Sequence, residues 1–218
     1  MLKLSCVVLL LGGWPAHAAG PEDYRALKRE IAREASTLRL HKQAGLEQAL
    51  LERIDRLFVS WLGSRWGLGM PQSTEPHRGK TNCGVFVAVV LRDVGFLLPI
   101  WKFNRQAAYD SIRSLAPRRS IRYFHRVSPR VFAAGVRRMG PGLYLIGLDF
   151  HIGFLRVKRS GEVRFVHGSY LTHRVMDEPA ETALPIVHSR SRMVGKILQP
   201  NMLRAWRHRR RIKVLGKR

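Results

Sequence analysis

The sequence predicts an α+β protein in which N-terminal helices and a helix beginning at Cys83 pack on an antiparallel sheet. Three observations support this class. Apolar residues recur at helical spacing before residue 62, strand-like segments follow Gly140, and a polar Thr81-Asn82 pair leads into the apolar segment that begins at Cys83. Helices therefore come first along the chain, and the strands of the sheet come later.

Residues 1–18 have the composition of a cleaved secretory signal. They contain one lysine, an apolar run over residues 4–11 and a small-x-small sequence that ends at Ala18. The apolar run is too short to span a bilayer, so we expect an exported protein, either periplasmic or secreted. Cleavage removes Cys6 and leaves Cys83 as the single cysteine, which excludes an intramolecular disulfide.

The chain after the signal divides into three predicted parts. Residues 19–60 form an N-terminal helical segment, because apolar residues recur every three to four positions along most of it. This segment is either two helices or one helix broken near Gly45. Residues 61–200 form the main domain. Residues 201–218 form a basic tail, which is either a solvated helix face or terminus, or a docking site for a polyanion.

Cys83 lies at the start of a strongly apolar predicted helix. Asn82 or Thr81 is expected to cap this helix, and Gly95 is expected to end it. Its predicted buried stripe comprises Val85, Phe86, Val89 and Val90. The helix dipole favours an anion at this end, so we expect a lowered pKa for the Cys83 thiol and N–H groups that can bind an oxyanion. A single thiol at this position is therefore interpreted as a reactive group, and an inert buried thiol is the alternative.

Two further helical segments are predicted before the sheet. The first includes residues 104–112, and the second covers residues 128–139, with Ser128 as N-cap and Pro129 at the first helical position. The Gly140-Pro141-Gly142 sequence is expected to end the second helix, and a strand-rich stretch follows it. The predicted order of elements is thus helices, the Cys83 helix, further helices and then the sheet.

The strand-rich stretch predicts a β-hairpin. A three-residue loop at residues 159–161, with Gly161 in the left-handed conformation, determines which residues of the two strands face each other. In this register Val157 faces Val163 and Leu155 faces Phe165. One face of the hairpin is therefore expected to be apolar and the other charged.

The same register brings two histidines together on the apolar face. His151 and His167 become diagonal neighbours, about 7–8 Å apart at the backbone, with Gly153 between them, and Asp149 shares the face. One imidazole can act as a base and the other can orient it, whereas a hydrogen-bonded pair of core histidines is the alternative. We expect the other histidines to be surface or structural residues: His41, His77, His125, His173, His188 and His208.

Three segments resemble the NlpC-type cell-wall cysteine peptidases of the papain-like superfamily. The segments are NCGVFV, HIGFL and FVHGSY, and the family pattern is a helix-opening Asp-Cys-Ser-Gly-Phe-Val, a strand with His-Val-Gly-Ile, and a later strand ending in a polar residue. The resemblance covers about residues 61–170. Asn82 and Gly84 stand where the family has an acidic residue and a serine.

This resemblance implies a papain-like fold and a catalytic role for three residues. Cys83 becomes the nucleophile, His151 the general base and His167 the orienting residue. The implied reaction is hydrolysis of an amide, typically in peptidoglycan stem peptides, through a thioester, and thiol-dependent transfer to lipids is a variant. Such chemistry needs no metal or organic cofactor. A zinc site is the competing use of the same cysteine and histidines, but the chain lacks the closely spaced ligand pairs of structural zinc sites.

The formal net charge of +24 predicts an anionic partner. Because the chain is expected to be exported and has no zinc-finger or RNP-like motif, we expect no nucleic acid. The expected partner is peptidoglycan or another anionic cell-envelope polymer, with peripheral membrane contact as a further interaction and a monomeric protein. The competing hypothesis is a non-catalytic basic domain that binds the wall or another polyanion.

Overall fold

The protein has an α+β fold in which helices cover both faces of one large sheet. The computed structural model describes residues 21–40 and 42–215; the predicted signal, residues 1–18, lies outside them. Within the described residues there are eight α-helices, one 3₁₀ helix (Arg118–Ser120) and one eight-stranded sheet. The predicted α+β class is therefore confirmed. None of the described helices is long and apolar enough to cross a membrane.

Strands are concentrated in the C-terminal half of the chain, as predicted. The α-helices are α1 (Pro21–Leu38), α2 (Gln43–Trp61), α3 (Cys83–Asp93), α4 (Ile100–Asn104), α5 (Ala108–Leu115), α6 (Pro129–Arg138), α7 (Leu184–His188) and α8 (Pro200–Arg207). The strands are β1 (Arg65–Trp66), β2 (Lys80–Thr81), β3 (Ile121–His125), β4 (Gly142–Gly147), β5 (Ile152–Val157), β6 (Val163–Ser169), β7 (Arg174–Pro179) and β8 (Ser191–Lys196).

The N-terminal segment consists of two helices tied to the end of α3. α1 and α2 are separate elements and Gly45 lies inside α2, so the alternative of one helix broken near Gly45 is wrong. The Tyr24 hydroxyl donates to Asp93 Oδ2 (2.6 Å) and accepts from Trp61 Nε1 (3.0 Å). These hydrogen bonds join α1, α2 and α3 around one buried tyrosine.

α3 has the predicted ends but a wider buried surface. Asn82 Oδ1 accepts from the N–H of Val85 (2.9 Å), and Gly95 follows the C-cap with a φ of +108°. All residues from Gly84 to Leu91 are buried, so the predicted stripe is too narrow. The reason is that α3 contacts α2 and α4 as well as β5 and β6, which leaves most of it without a solvent face.

The sheet is mixed rather than purely antiparallel. Its strand order is β2-β1-β7-β6-β5-β4-β8-β3, and only β1 and β2 pair in parallel. β1 and β2 have two residues each, and the loop between them brings Thr81 beside Trp66. The expectation of an antiparallel sheet is wrong at this edge because a long connection, unlike a tight hairpin turn, lets the chain return in the same direction.

The β5–β6 hairpin has the predicted register. Its ladder pairs Val157 with Val163 and extends to Phe154 with Val166. Gly161 has a φ of +86° in the connecting loop, as the predicted left-handed position requires. The strands therefore present the side chains to the faces that the sequence analysis assigned.

Both faces of this hairpin are buried, in contrast to the charged outer face that the sequence predicts. Leu155 lies in an apolar cluster with residues of α6 and α7, whereas Phe154 lies in the larger cluster with α2 and α3. The face with Phe154 becomes charged only toward the turn, where Arg156 pairs with Asp55 of α2 (3.1 Å). Helices on both sides of the sheet, which hairpin alternation alone does not reveal, account for the difference.

The basic C-terminal segment is anchored in the core by its apolar side chains. Met202, Leu203 and Trp206 of α8 are buried, and Trp206 Nε1 donates to the carbonyl of Val94 (2.8 Å). Most arginines of this segment are exposed. α8 is thus attached to the C-terminal end of the helix whose first residue is Cys83.

Candidate active site

Cys83 begins α3 beside the ends of β5 and β6. The backbone N–H of Ile152 is close enough to the Cys83 sulfur to favour its thiolate form, and a Cβ on Gly168 would lie 3.8 Å from Cys83 Cα. Gly84 lets α4 approach the first turn of α3, since a Cβ there would lie 2.5 Å from Asn104 Oδ1. Small residues on both sides of Cys83 therefore allow helix and sheet to meet at the thiol.

The Cys83 thiol is harder to ionise than the sequence predicts. Burial raises its pKa above the ordinary value, although the backbone N–H groups of Ile152, Gly84 and Cys83 itself favour the thiolate. The expected lowered pKa is therefore wrong, because removal of the sulfur from water outweighs the favourable N–H groups. At neutral pH the resting group is a thiol, and attack by the sulfur needs a base.

Cys83 and His151 line the same cavity of about 810 Å³. The start of α3, the segment joining α4 to α5 and the turn between β4 and β5 form its walls. Asn104, Tyr109 and Phe150 are among its lining residues. A cavity of this volume is large enough for a peptide-sized ligand.

His151 and His167 are hydrogen-bonded to each other inside the protein. His151 Nε2 lies 2.8 Å from His167 Nδ1, and the ring centroids are 4.9 Å apart. Gly153 lies between the two residues as predicted, since a Cβ on it would lie 2.8 Å from the Cβ of His167. Phe165 stacks on the His167 ring at 4.0 Å. The imidazole pair is therefore held by strand packing on several sides.

Glu178 of β7 extends the pair to a chain of three residues. Its Oε1 lies 2.9 Å from His167 Nε2. A carboxylate can only accept, so His167 Nε2 carries a proton and, in the neutral ring, His167 Nδ1 accepts from His151 Nε2–H. His151 Nδ1 is then the unprotonated nitrogen. The chain of hydrogen bonds thus assigns His151 the tautomer of a base.

Both imidazoles are neutral at neutral pH. Burial, followed by the repulsion that a protonated His167 would exert, lowers the pKa of His151 to about 3. Burial also lowers the pKa of His167, and Glu178 opposes that shift. A neutral His151 with a free lone pair on Nδ1 is the form that can accept a proton from a thiol.

Asp149 does not share the sheet face with the histidines. It lies in the turn between β4 and β5, where its carboxylate accepts the N–H groups of Arg190 (2.9 Å) and Ser191 (3.1 Å). The predicted placement is wrong because Asp149 lies in the middle of the turn between β4 and β5, where the alternation that reaches His151 no longer holds. Its role is to fix the start of β8 against this turn.

The other histidines of the described residues lie away from this site. The remaining described histidines are exposed, consistent with the surface role predicted for them: His77, His125, His173, His188 and His208. His41 lies outside the described residues. In residues 21–40 and 42–215, no group of three or more His, Cys, Asp or Glu side chains is arranged to hold a metal ion.

Two residues beside the histidines are missing from the sequence prediction. One is Glu178, and the other is Tyr170, whose ring centroid lies 5.6 Å from that of His151. The connection between β6 and β7, residues 170–173, contains no glycine or proline that would indicate a turn. The pairing of β7 with β6 could therefore not be derived from the sequence. Alternation in the segment RVMDEP was the one feature that indicated a strand containing Glu178.

Cys83 and His151 reach this cavity from two faces of the hairpin, because α3 packs on the face of Phe154 and the histidines lie on the face of Leu155 and Phe165. A thiol at a helix start, a neutral imidazole base and backbone N–H groups occur together around one cavity. The chain matches none of the known protein-family models, and a search of curated proteins finds no significant match.

Proposed function

We propose that the protein is an exported, papain-like cysteine hydrolase that cleaves an amide or peptide bond in peptidoglycan. The observation that carries this proposal is the hydrogen-bonded chain from Glu178 through His167 to His151, because it ends in the cavity that holds Cys83. Cys83 is the nucleophile, His151 the general base and acid, and His167 the residue that orients His151. The resemblance of three segments to NlpC-type peptidases supports the same roles.

The first half of the reaction starts from a neutral thiol and a neutral imidazole. His151 Nδ1 removes the Cys83 proton as the sulfur attacks the carbonyl carbon, and the carbonyl electrons move to oxygen. Backbone N–H groups of Cys83 and Gly84 are the proposed donors to this oxyanion. His151 then donates its proton to the leaving amine, the C–N bond breaks and a thioester remains.

Water completes the cycle. His151 removes a proton from water, the hydroxyl attacks the thioester carbon, and the sulfur of Cys83 leaves and recovers its proton from His151. In both halves His151 becomes positively charged for a time inside the protein. The carboxylate of Glu178, acting through His167, stabilises that charge and offsets part of its burial.

The charge of the chain supports an anionic substrate. Cations outnumber carboxylates by 24, and such a surface concentrates anionic polymers of a cell envelope. One observation favours the second candidate, a non-catalytic basic domain that binds these polymers: His151 and His167 are almost completely buried. In that case the two histidines are hydrogen-bonded core residues, and Cys83 is an inert thiol.

The deciding experiment is incubation of purified muropeptides with the protein and analysis of the products by mass spectrometry. Wild type and the exposed-residue control His188→Asn are expected to release fragments, and Cys83→Ala is expected to release none. Circular dichroism establishes that the variants are folded. Intact muropeptides after incubation with folded wild type, together with binding to the polymer, would support the binding domain instead.

A further inference from the structure

Large apolar side chains are exposed around the mouth of the cavity. Phe150, which precedes His151, is 97% exposed, and Leu68 and Met70 are 67% and 71% exposed. Phe150 and Leu68 both line the cavity, and Met70 follows Leu68 closely in the same loop. Single exposed apolar residues are ordinary, but a group of them around one entrance marks an interaction surface.

Three loops bring these residues to one end of the sheet. The β1–β2 loop carries Leu68 and Met70, the β4–β5 turn carries Phe150, and the β6–β7 turn carries Tyr170 and Leu171, which are also exposed. Strand pairing places all three loops at the end where α3 begins. We call these five residues the mouth surface.

Exposed arginines flank the mouth surface. Arg65 and Arg174 pair across β1 and β7, next to the loops that carry Leu68 and Leu171. On the other side, the N–H of Arg126 donates to the carbonyl of Arg190 (2.8 Å), and Arg190 is held by the β4–β5 turn. All four arginines are exposed. Positive charge therefore lies on two sides of an apolar surface.

The carboxylates that line the cavity are already engaged. Asp110 pairs with Arg113 (3.1 Å), and Asp149 accepts backbone N–H groups of Arg190 and Ser191. Asp110 is neutralised by Arg113 and Asp149 keeps its charge, so the exposed arginines beside the mouth surface still outnumber the unpaired carboxylates that line the cavity. A partner that matches this end of the molecule therefore has anionic groups for the arginines and an apolar region for the mouth surface.

We infer that the mouth surface docks on an anionic phospholipid bilayer, so that the cavity opens toward the membrane. Phe150 and Leu68 enter the interface while the arginines contact lipid phosphates. A hydrated polysaccharide would satisfy the arginines but leave these apolar side chains in water. This orientation also bears on the substrate, and here it rests on the proposed function. A cavity that faces the membrane would receive an amide that belongs to a membrane-anchored molecule.

Docking is tested by sedimentation with vesicles of phosphatidylcholine, with and without phosphatidylglycerol. The mouth variant Leu68→Ser/Phe150→Ser is compared with Leu40→Ser/Leu184→Ser, whose leucines are 86% and 52% exposed and do not line the cavity. Wild type is expected to sediment with the anionic vesicles. The mouth variant should bind about ten-fold more weakly, and the control within about two-fold of wild type.

High salt separates docking from the general attraction of a basic chain. In about 0.5 M NaCl, where charges are strongly screened, wild type should retain more vesicle binding than the mouth variant. Equal weakening by the two double variants, or equal loss of binding by all proteins in salt, would overturn the inference. Cys83→Ala should bind vesicles like wild type. Vesicle binding therefore tests docking alone, and muropeptide cleavage tests hydrolysis alone.

Discussion

The closed and open ends of the β5–β6 hairpin follow one register but differ in chemistry. At the closed end, Val157 faces Val163 within an apolar cluster. At the open end, the same face leads to His151 and His167, whose rings are buried and hydrogen-bonded to each other. One periodicity thus places aliphatic side chains at one end and titratable side chains at the other.

This difference separates a region that stabilises the fold from one that supports chemistry. The valines contribute by burial at any pH. Burial lowers the pKa of both His151 and His167 and keeps the imidazoles neutral. At acidic pH the unfolded chain can protonate these histidines more readily than the folded protein can, so they then lower the stability of the fold. Changes at the closed end should therefore affect stability alone, and changes at the open end should affect turnover and pH dependence.

The largest effect is expected from His151→Asn. Because asparagine cannot exchange protons, the variant should lose about 10⁴-fold in kcat/KM. His167→Asn keeps a hydrogen-bonding side chain and only loosens the position of the His151 ring, so it should lose about 10²-fold. Rates of muropeptide cleavage at one pH measure both, with Val163→Thr as the closed-end control. If His167→Asn is inert while His151→Asn turns over, the two roles are reversed.

Glycine-to-alanine substitutions at the two ends of the hairpin compare how much each end loses in stability when one methyl group is added. Gly153→Ala places a Cβ 2.6 Å from Phe165 and 2.8 Å from His167, and should lower the free energy of unfolding by about 3 kcal/mol. Gly161→Ala meets only the flexible Arg137 but requires a φ of +86°, and should lower it by about 1 kcal/mol. Urea denaturation measures the two changes, and the opposite ranking would contradict the close packing at Gly153.

Acidification should destabilise the open end. The pKa of His151 is lowered from 6.5 to about 3 in the folded protein, so below pH 6.5 the unfolded chain binds the additional proton. Stability should fall by about 2 kcal/mol between pH 6.5 and 5 from this residue. Thermal denaturation at the two pH values should show a smaller loss for His151→Asn and an unchanged loss for Val157→Ala. An identical loss in wild type and His151→Asn would mean that His151 is not held neutral.

The smallest effect concerns two glutamates. Glu178→Gln removes the carboxylate that assigns the His167 tautomer and should lower turnover about ten-fold, a loss comparable with that of a charged hydrogen bond. Glu162→Gln breaks an exposed pair with Lys158 (2.7 Å) and should change stability by less than about 0.5 kcal/mol. Nitrogen-15 NMR of the imidazoles reads the tautomers directly. Because the glutamine oxygen can also accept from His167 Nε2–H, the rate decides: unchanged turnover in folded Glu178→Gln would remove Glu178 from the chain.

Local sequence was sufficient for the elements that carry Cys83 and the two histidines. Asn82 caps α3 through its own side chain, Gly95 ends it, and Gly161 determines the register of the hairpin. Each of these features depends on residues within a few positions of one another, so their chemistry is readable from the chain. The diagonal placement of His151 and His167 follows from the same register.

Tertiary structure alone decided the protonation of the site and its third hydrogen-bonding partner. Glu178 reaches His167 only because β7 pairs with β6, and the pKa of Cys83 is raised by burial in the folded protein. Desolvation depends on all atoms within several ångströms, wherever they lie in the chain. Residue type and spacing therefore determined which groups are present and which strand face they occupy, whereas burial by distant segments determined their charge.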